Sequence, residues 1–180
     1  MVETRVVLDS CVLIPMPLAD TLLRLGSGSR LYVPKWSSTI MQEVGRNLVE
    51  NFGLTPAKAE YREGQIRRHF PEAWVAGFDD LIPEMKNSRK DRHVLAAAVR
   101  SNAEVIVTYN LRDFPRTALA PYGVVAMDPG EFLCKLYSLD ADTVLAVLAR
   151  QASSIRQPVG YVLERLAVNV PAFVEEVRRR

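Results

Sequence analysis

Two short runs of aliphatic residues, Val6-Val7-Leu8 and Val105-Ile106-Val107-Thr108, each end at polar side chains, and helical periodicity fills the chain between them. Strands buried on both faces read as unbroken apolar runs, and parallel strands need a crossover long enough to hold a helix. The pattern therefore implies an α/β fold, a short parallel sheet flanked by helices in three layers.

The punctuation between the runs places the helices. Pro17 is expected to open one that carries Leu18, Leu22 and Leu25 on one face and closes at Gly26. Leu31-Tyr32-Val33 reads as a strand stopped by Pro34, and Ser37 or Thr39 as the cap of a helix with Ile40, Val44 and Leu48 inward. Thr55-Pro56 pairs an N-cap with a first-turn proline, so a helix should run to about Phe70. The segment 72–87 carries no clear element. Arg92–Arg100 reads as a helix, Gly123–Ala126 as a weaker strand, and Asp128-Pro129 as the start of a helix through Leu136.

From Leu139 onward the strand signal vanishes. Asp140 and Pro158 open two amphipathic helices, and a third follows Pro171. The expected organisation is an α/β domain over residues 1–136 and a helical C-terminal extension over 137–180.

Composition narrows the function classes. A hydrophobic fraction of 48% supports a packed core and argues against disorder. A net charge of +2, from 23 basic and 21 acidic residues, is too mild to announce nucleic-acid binding by itself. Cys11 and Cys134 are far apart and form no zinc or disulfide pattern, which suits a reducing compartment. The stretch Met1–Arg5 lacks the apolar core of a signal peptide, and the longest apolar run, Val94–Val99, is far too short to cross a bilayer. The expectation is a cytoplasmic protein with no membrane contact.

In a parallel sheet, chemistry collects at the carboxyl ends of the strands. Asp9 ends the first strand, Asp113 lies just past Val105–Thr108, Asp91 opens a helix and Glu43 sits within another. Each alone also fits a structural role: Asp9 as a cap, Glu43 on a solvated face, Asp91 at the positive end of a helix, Asp113 as a turn former. Gathered in one cleft, the four would repel one another and hold their protons more tightly. A hard cation relieves that repulsion, and Mg²⁺ needs only a few carboxylates because it keeps several waters. On the same reasoning, Asp113→Asn without metal should leave the fold intact or slightly stabilise it.

Four stretches, taken in order, resemble the PIN-domain family, which includes VapC-type ribonuclease toxins. They are Val7-Leu8-Asp9-Ser10-Cys11-Val12-Leu13-Ile14-Pro15, then Trp36-Ser37 through Glu43 to Asn47-Leu48, then Asp91-Arg92-His93-Val94-Leu95-Ala96-Ala97-Ala98, then Val105-Ile106-Val107-Thr108-Tyr109-Asn110-Leu111-Arg112-Asp113-Phe114. The resemblance covers about residues 5–134, and the tail is similar to a helical extension carried by one PIN subgroup. It implies a PIN-like fold and an endoribonuclease that uses Mg²⁺ or Mn²⁺. It implies Asp9 as the central metal ligand, Asp91 and Asp113 completing the acidic cluster, and Glu43 binding directly or through water. Thr108 and Asn110 would support the site. The implied partners are RNA and a small antitoxin protein; a second copy of the chain is a further candidate that the residues leave open.

Two features depart from the family pattern. Relatives often carry Asn where this chain has Cys11, so a supporting hydrogen bond is expected to be lost. Relatives often carry further acids just before the third acid of the set, Asp91, where this chain has Lys86-Asn87-Ser88-Arg89-Lys90. Arg89, Lys90, Arg92 and Arg112 beside the acids suit the approach of an RNA phosphate, and a solvated basic helix end would look the same. Tyr109 could stack on an unpaired base or pack against its own loop. His69 and His93 read as structural or surface residues. The competing readings are a PIN-type RNA- or protein-binding module without catalysis, and a phosphatase with Asp9 as nucleophile, for which Cys11 stands where a second acid is wanted.

Overall fold

The computed structural model describes residues 4–28 and 31–179; Met1, Val2 and Glu3, in the stretch read above for a leader, lie outside them. The elements run β1 (Arg5–Leu8), α1 (Leu18–Gly26), β2 (Val33–Ser37), α2 (Ser38–Glu50), α3 (Pro56–His69), β3 (Trp74–Val75) and α4 (Arg92–Arg100). They continue with β4 (Val105–Val107), α5 (Arg116–Leu119), β5 (Val125–Met127), α6 (Pro129–Leu139), α7 (Ala141–Ser154), α8 (Val159–Ala167) and α9 (Pro171–Arg178). The strands form one parallel sheet in the order β3-β2-β1-β4-β5, flanked by helices.

The central strands are apolar because both sides of the sheet are covered. Val6, Val7, Leu8, Ile106 and Val107 are all fully buried; each such side chain contributes about 1.5–3 kcal/mol of transfer free energy. The register pairs Leu8 with Val107, which sets the two strand ends level. The anticipated caps are made: Ser37 Oγ accepts the Ile40 N–H at 3.2 Å and Thr55 Oγ1 accepts the Lys58 N–H at 3.3 Å. Each is worth about 1 kcal/mol.

The second strand differs from its sequence reading. It begins at Val33 and passes through Pro34. The Val33 N–H donates to the Thr4 carbonyl, on the β1 side. Amides alternate in direction along a strand, so the missing N–H of Pro34 would have faced β3, which pairs only with Trp36 and Ser37. The proline therefore costs no ladder bond. Gly26 packs against the same ring: a Cβ there would stand 3.0 Å from Pro34 Cδ and 3.2 Å from Tyr32 Cζ.

β3 falls in the segment that showed no clear element. It is two residues long, and Trp74 meets Trp36 and Phe70 meets Trp36 in edge-to-face contacts, with ring centroids 6.2 and 5.5 Å apart. β5 starts two residues later than read, after Gly123 turns the chain at φ 68°. α6 continues past Leu136 to Leu139.

The three C-terminal helices begin where Asp140, Pro158 and Pro171 placed them. α7 lies against α1 through a buried polar link. Gln151, 1% exposed, accepts from Thr21 Oγ1 at 2.8 Å and donates to the Pro17 carbonyl at 3.1 Å. α9 packs on α6, with the Phe173 ring edge-on to Tyr137 at 6.3 Å. Among the described residues no helix is long and apolar enough to cross a membrane.

Candidate active site

The end of β1 and the end of β4 build the floor of the site. The Asp9 N–H still donates to the Val107 carbonyl at 3.1 Å, so Asp9 stands beside Thr108 when the strands stop. Asp9 is 2% exposed. Its Oδ1 accepts the Ser10 N–H at 2.7 Å, capping a single 3-10 turn over Ser10–Val12, and its Oδ2 accepts the Thr108 hydroxyl at 2.7 Å. Thr108 Oγ1 in turn accepts the Asn110 N–H at 3.0 Å. Asn110 thus supports the site through its backbone, while its residue is exposed to solvent.

Cys11 keeps the supporting contact that its departure from the family pattern was expected to remove. Its Sγ lies 3.5 Å from Asp9 Oδ2 and 3.5 Å from Thr108 Oγ1, and it accepts the Tyr109 N–H at 3.4 Å. Burial, helped by the Asp9 charge, pushes the thiol up to about 12, so it stays neutral. The Tyr109 hydroxyl donates to the Asn169 carbonyl at 3.2 Å, so this ring packs against the C-terminal helices.

Asp91 and Asp113 come from two turns tied by their backbones. The Ser88 N–H donates to the Asp113 carbonyl at 3.0 Å, and the Asp91 N–H folds back to the Ser88 carbonyl at 2.9 Å. Asp91 precedes α4 but makes no side-chain cap bond; its carboxylate turns toward the cluster instead. Asp91 is 9% exposed, and its Oδ2 is buried without a hydrogen-bond partner. The nearest cation is Lys90, whose Nζ lies 3.8 Å from that oxygen and 3.0 Å from Asp113 Oδ2.

The acids do not share the repulsion equally. Desolvation first, then the charges of Asp9 and Asp113, raise Asp91 to about 6 against the pull of Lys90. Asp113 moves the other way, held below the usual carboxylate range by its bond to Lys90. Asp113→Asn would remove one of the charges that raise Asp91 but would also give up the bond to Lys90, so the relief expected of it is offset, and the strain of like charge sits on Asp91. Because folding raises this carboxyl, the folded chain holds its proton more tightly than the unfolded chain does. Its contribution to stability thus falls as pH rises from about 4 to about 6. Asp91→Asn is expected to stabilise the metal-free protein by about 1–3 kcal/mol at pH 7 and by much less at pH 4. Urea unfolding in chelator at the two pH values checks this, and an equal effect at both would refute it.

Glu43 stands to one side. Burial alone would raise its carboxyl, but the hydrogen bond and charge of His93, a bond from Ser10 and the charge of Arg46 bring it below the ordinary value. His93 Nε2 donates to Glu43 Oε1 at 3.0 Å. This histidine is the residue that sequence reasoning missed. It lies two positions from Asp91, which spoke against a shared role, and nothing local links it to a partner 50 positions away.

Asp9, Asp91 and Asp113 are thus electrostatic neighbours, with Glu43 held nearby through Ser10. Among the described residues, no three Asp, Glu, His or Cys side chains are drawn close enough to hold an ion as they stand. The donor chemistry nevertheless fits a hard cation: every candidate atom is a carboxylate oxygen, and one is buried with no hydrogen-bond partner. Mg²⁺ is commonly held by one or two carboxylates and its own waters, which this arrangement can provide. Arg89 and Arg112 are exposed beside the cluster, and Arg92 is half-buried with its Nε 3.5 Å from the Asn87 carbonyl.

A short parallel sheet with aspartates gathered at its carboxyl rim is a PIN-like α/β fold. A family model described as VapC50 C-terminal domain matches residues 129–179, the region of α6 to α9. The chain is also 43% identical over 110 residues to a protein of Mycobacterium tuberculosis named "Putative ribonuclease VapC50". That match spans 59% of this chain and 65% of the relative, just under two thirds of its length. No solved structure matches the chain at a comparable level. The sheet is PIN-like, and the chain is similar in sequence to these VapC50 proteins.

Proposed function

We propose that the chain is an endoribonuclease that depends on Mg²⁺ or Mn²⁺ and acts as the toxin of a toxin–antitoxin pair. The observation that carries the reading is the Asp91 oxygen buried without a hydrogen-bond partner, close to two other aspartates and answered only by the more distant charge of Lys90. Such an excess of acid is costly for a fold unless a cation is part of its working state.

In this reading Asp9, Asp91 and Asp113 hold the ion, and Glu43 reaches it directly or through water. A bound Mg²⁺ or Mn²⁺ supplies an acidified water and neutralises charge on the phosphodiester. The chain's own residues do the positioning. Thr108 and Ser10 fix both oxygens of Asp9, and His93 fixes Glu43. Arg89, Arg92 and Arg112 offer charge to the RNA backbone, contacts that orient a strand without reading its sequence. Attack of water on phosphorus would leave 5′-phosphate and 3′-hydroxyl ends.

The neutral Cys11 thiol argues against the phosphatase alternative, since it offers no second acid beside Asp9. The relative's name, together with the two unpaired cysteines, favours a cytoplasmic toxin with a small antitoxin partner. Labelled RNA incubated with Mn²⁺ is expected to be cut to 5′-phosphorylated products, with chelator stopping the reaction. Cleavage that persists in chelator, or products with 2′,3′-cyclic ends, would overturn the proposal.

A further inference from the structure

Among the described residues Lys90 is the cation that reaches both aspartates, and its placement is unusual for a residue named as a phosphate contact. Its ammonium bonds Asp113 Oδ2 at 3.0 Å and faces the unpartnered Asp91 Oδ2 at 3.8 Å. The side chain is 66% exposed, so no packing pins it there. A long flexible stem with a compact charge can enter and leave such a place without refolding. The two carboxylates it joins are those that a divalent ion would also need.

We infer that Lys90 is a built-in competitor for the divalent cation, neutralising Asp91 and Asp113 in the metal-free chain and leaving them when a metal is held. The inference rests on the metal-dependent reading above and adds a regulator of that site. Linkage then sets the consequence. An interaction present only in the metal-free state weakens metal binding by its own strength, and deleting it tightens binding by the same factor.

Binding of Mn²⁺ to the full chain, followed by the electron paramagnetic resonance signal of the free ion, tests this without any RNA. Lys90→Met is expected to bind Mn²⁺ about threefold to tenfold more tightly than the unmodified chain, the range suggested by a pair of partly exposed ion contacts. Lys86→Met removes the same charge from an exposed position with no carboxylate contact, and is expected to change the affinity less than twofold. Unchanged or weaker binding by Lys90→Met would overturn the inference, as would equal tightening by Lys86→Met, which would mark a diffuse charge effect. If none of the three proteins binds Mn²⁺, the metal-dependent reading itself falls, and this inference falls with it.

Discussion

Asp9→Asn is expected to lower RNA cleavage about 10³-fold while the chain stays folded. A ligand that neutralises developing charge contributes several kcal/mol to the transition state, and each 1.36 kcal/mol is a factor of ten. The carboxamide oxygen can keep the Ser10 N–H while its NH₂ donates to the Thr108 hydroxyl, which turns from donor to acceptor. Both contacts therefore survive, and removing the Asp9 charge relieves Asp91, so the stability change should be small. Cleavage rates at saturating Mn²⁺, paired with thermal melts, separate the two effects. Equal cleavage by both proteins would remove Asp9 from the chemistry.

Phe173→Ala is expected to destabilise the whole chain by about 3–5 kcal/mol. Phe173 is fully buried on α9, edge-on to Tyr137 of α6, and α9 also packs on α8. α7 of the same region is bonded to α1 through Gln151. These contacts lead to one cooperative unfolding transition, so the urea midpoint should move by about 1–3 M with its slope unchanged. Two separate transitions, with the first alone displaced by the substitution, would show instead that the C-terminal helices unfold independently.

Features with local causes were legible in the sequence. The apolar runs of β1 and β4, the Thr55-Pro56 start of α3, the bounds of α4 and the proline openings of α8 and α9 all reflect rules that act within a few residues. Asp9 was legible because it follows a buried strand, and Thr108 because it follows the strand beside it. What could not be read depends on tertiary partners. β3 consists of two residues that become a strand only by pairing with Trp36 and Ser37. Pro34 is tolerated because its neighbour on one side begins two residues later. The bond between His93 and Glu43 joins two helices, and the division of charge between Asp91 and Asp113 depends on which of them the Lys90 ammonium reaches.

The common direction of all five strands gives the molecule two unlike rims. The acids occupy the lip where the strands finish. The opposite lip holds connecting turns, among them the left-handed residues Asn102 before β4 and Gly123 before β5. A tag, fluorophore or surface tether placed at those turns would sit a full strand length from the carboxylates. The protein could then be immobilised or labelled there with its acidic rim left open.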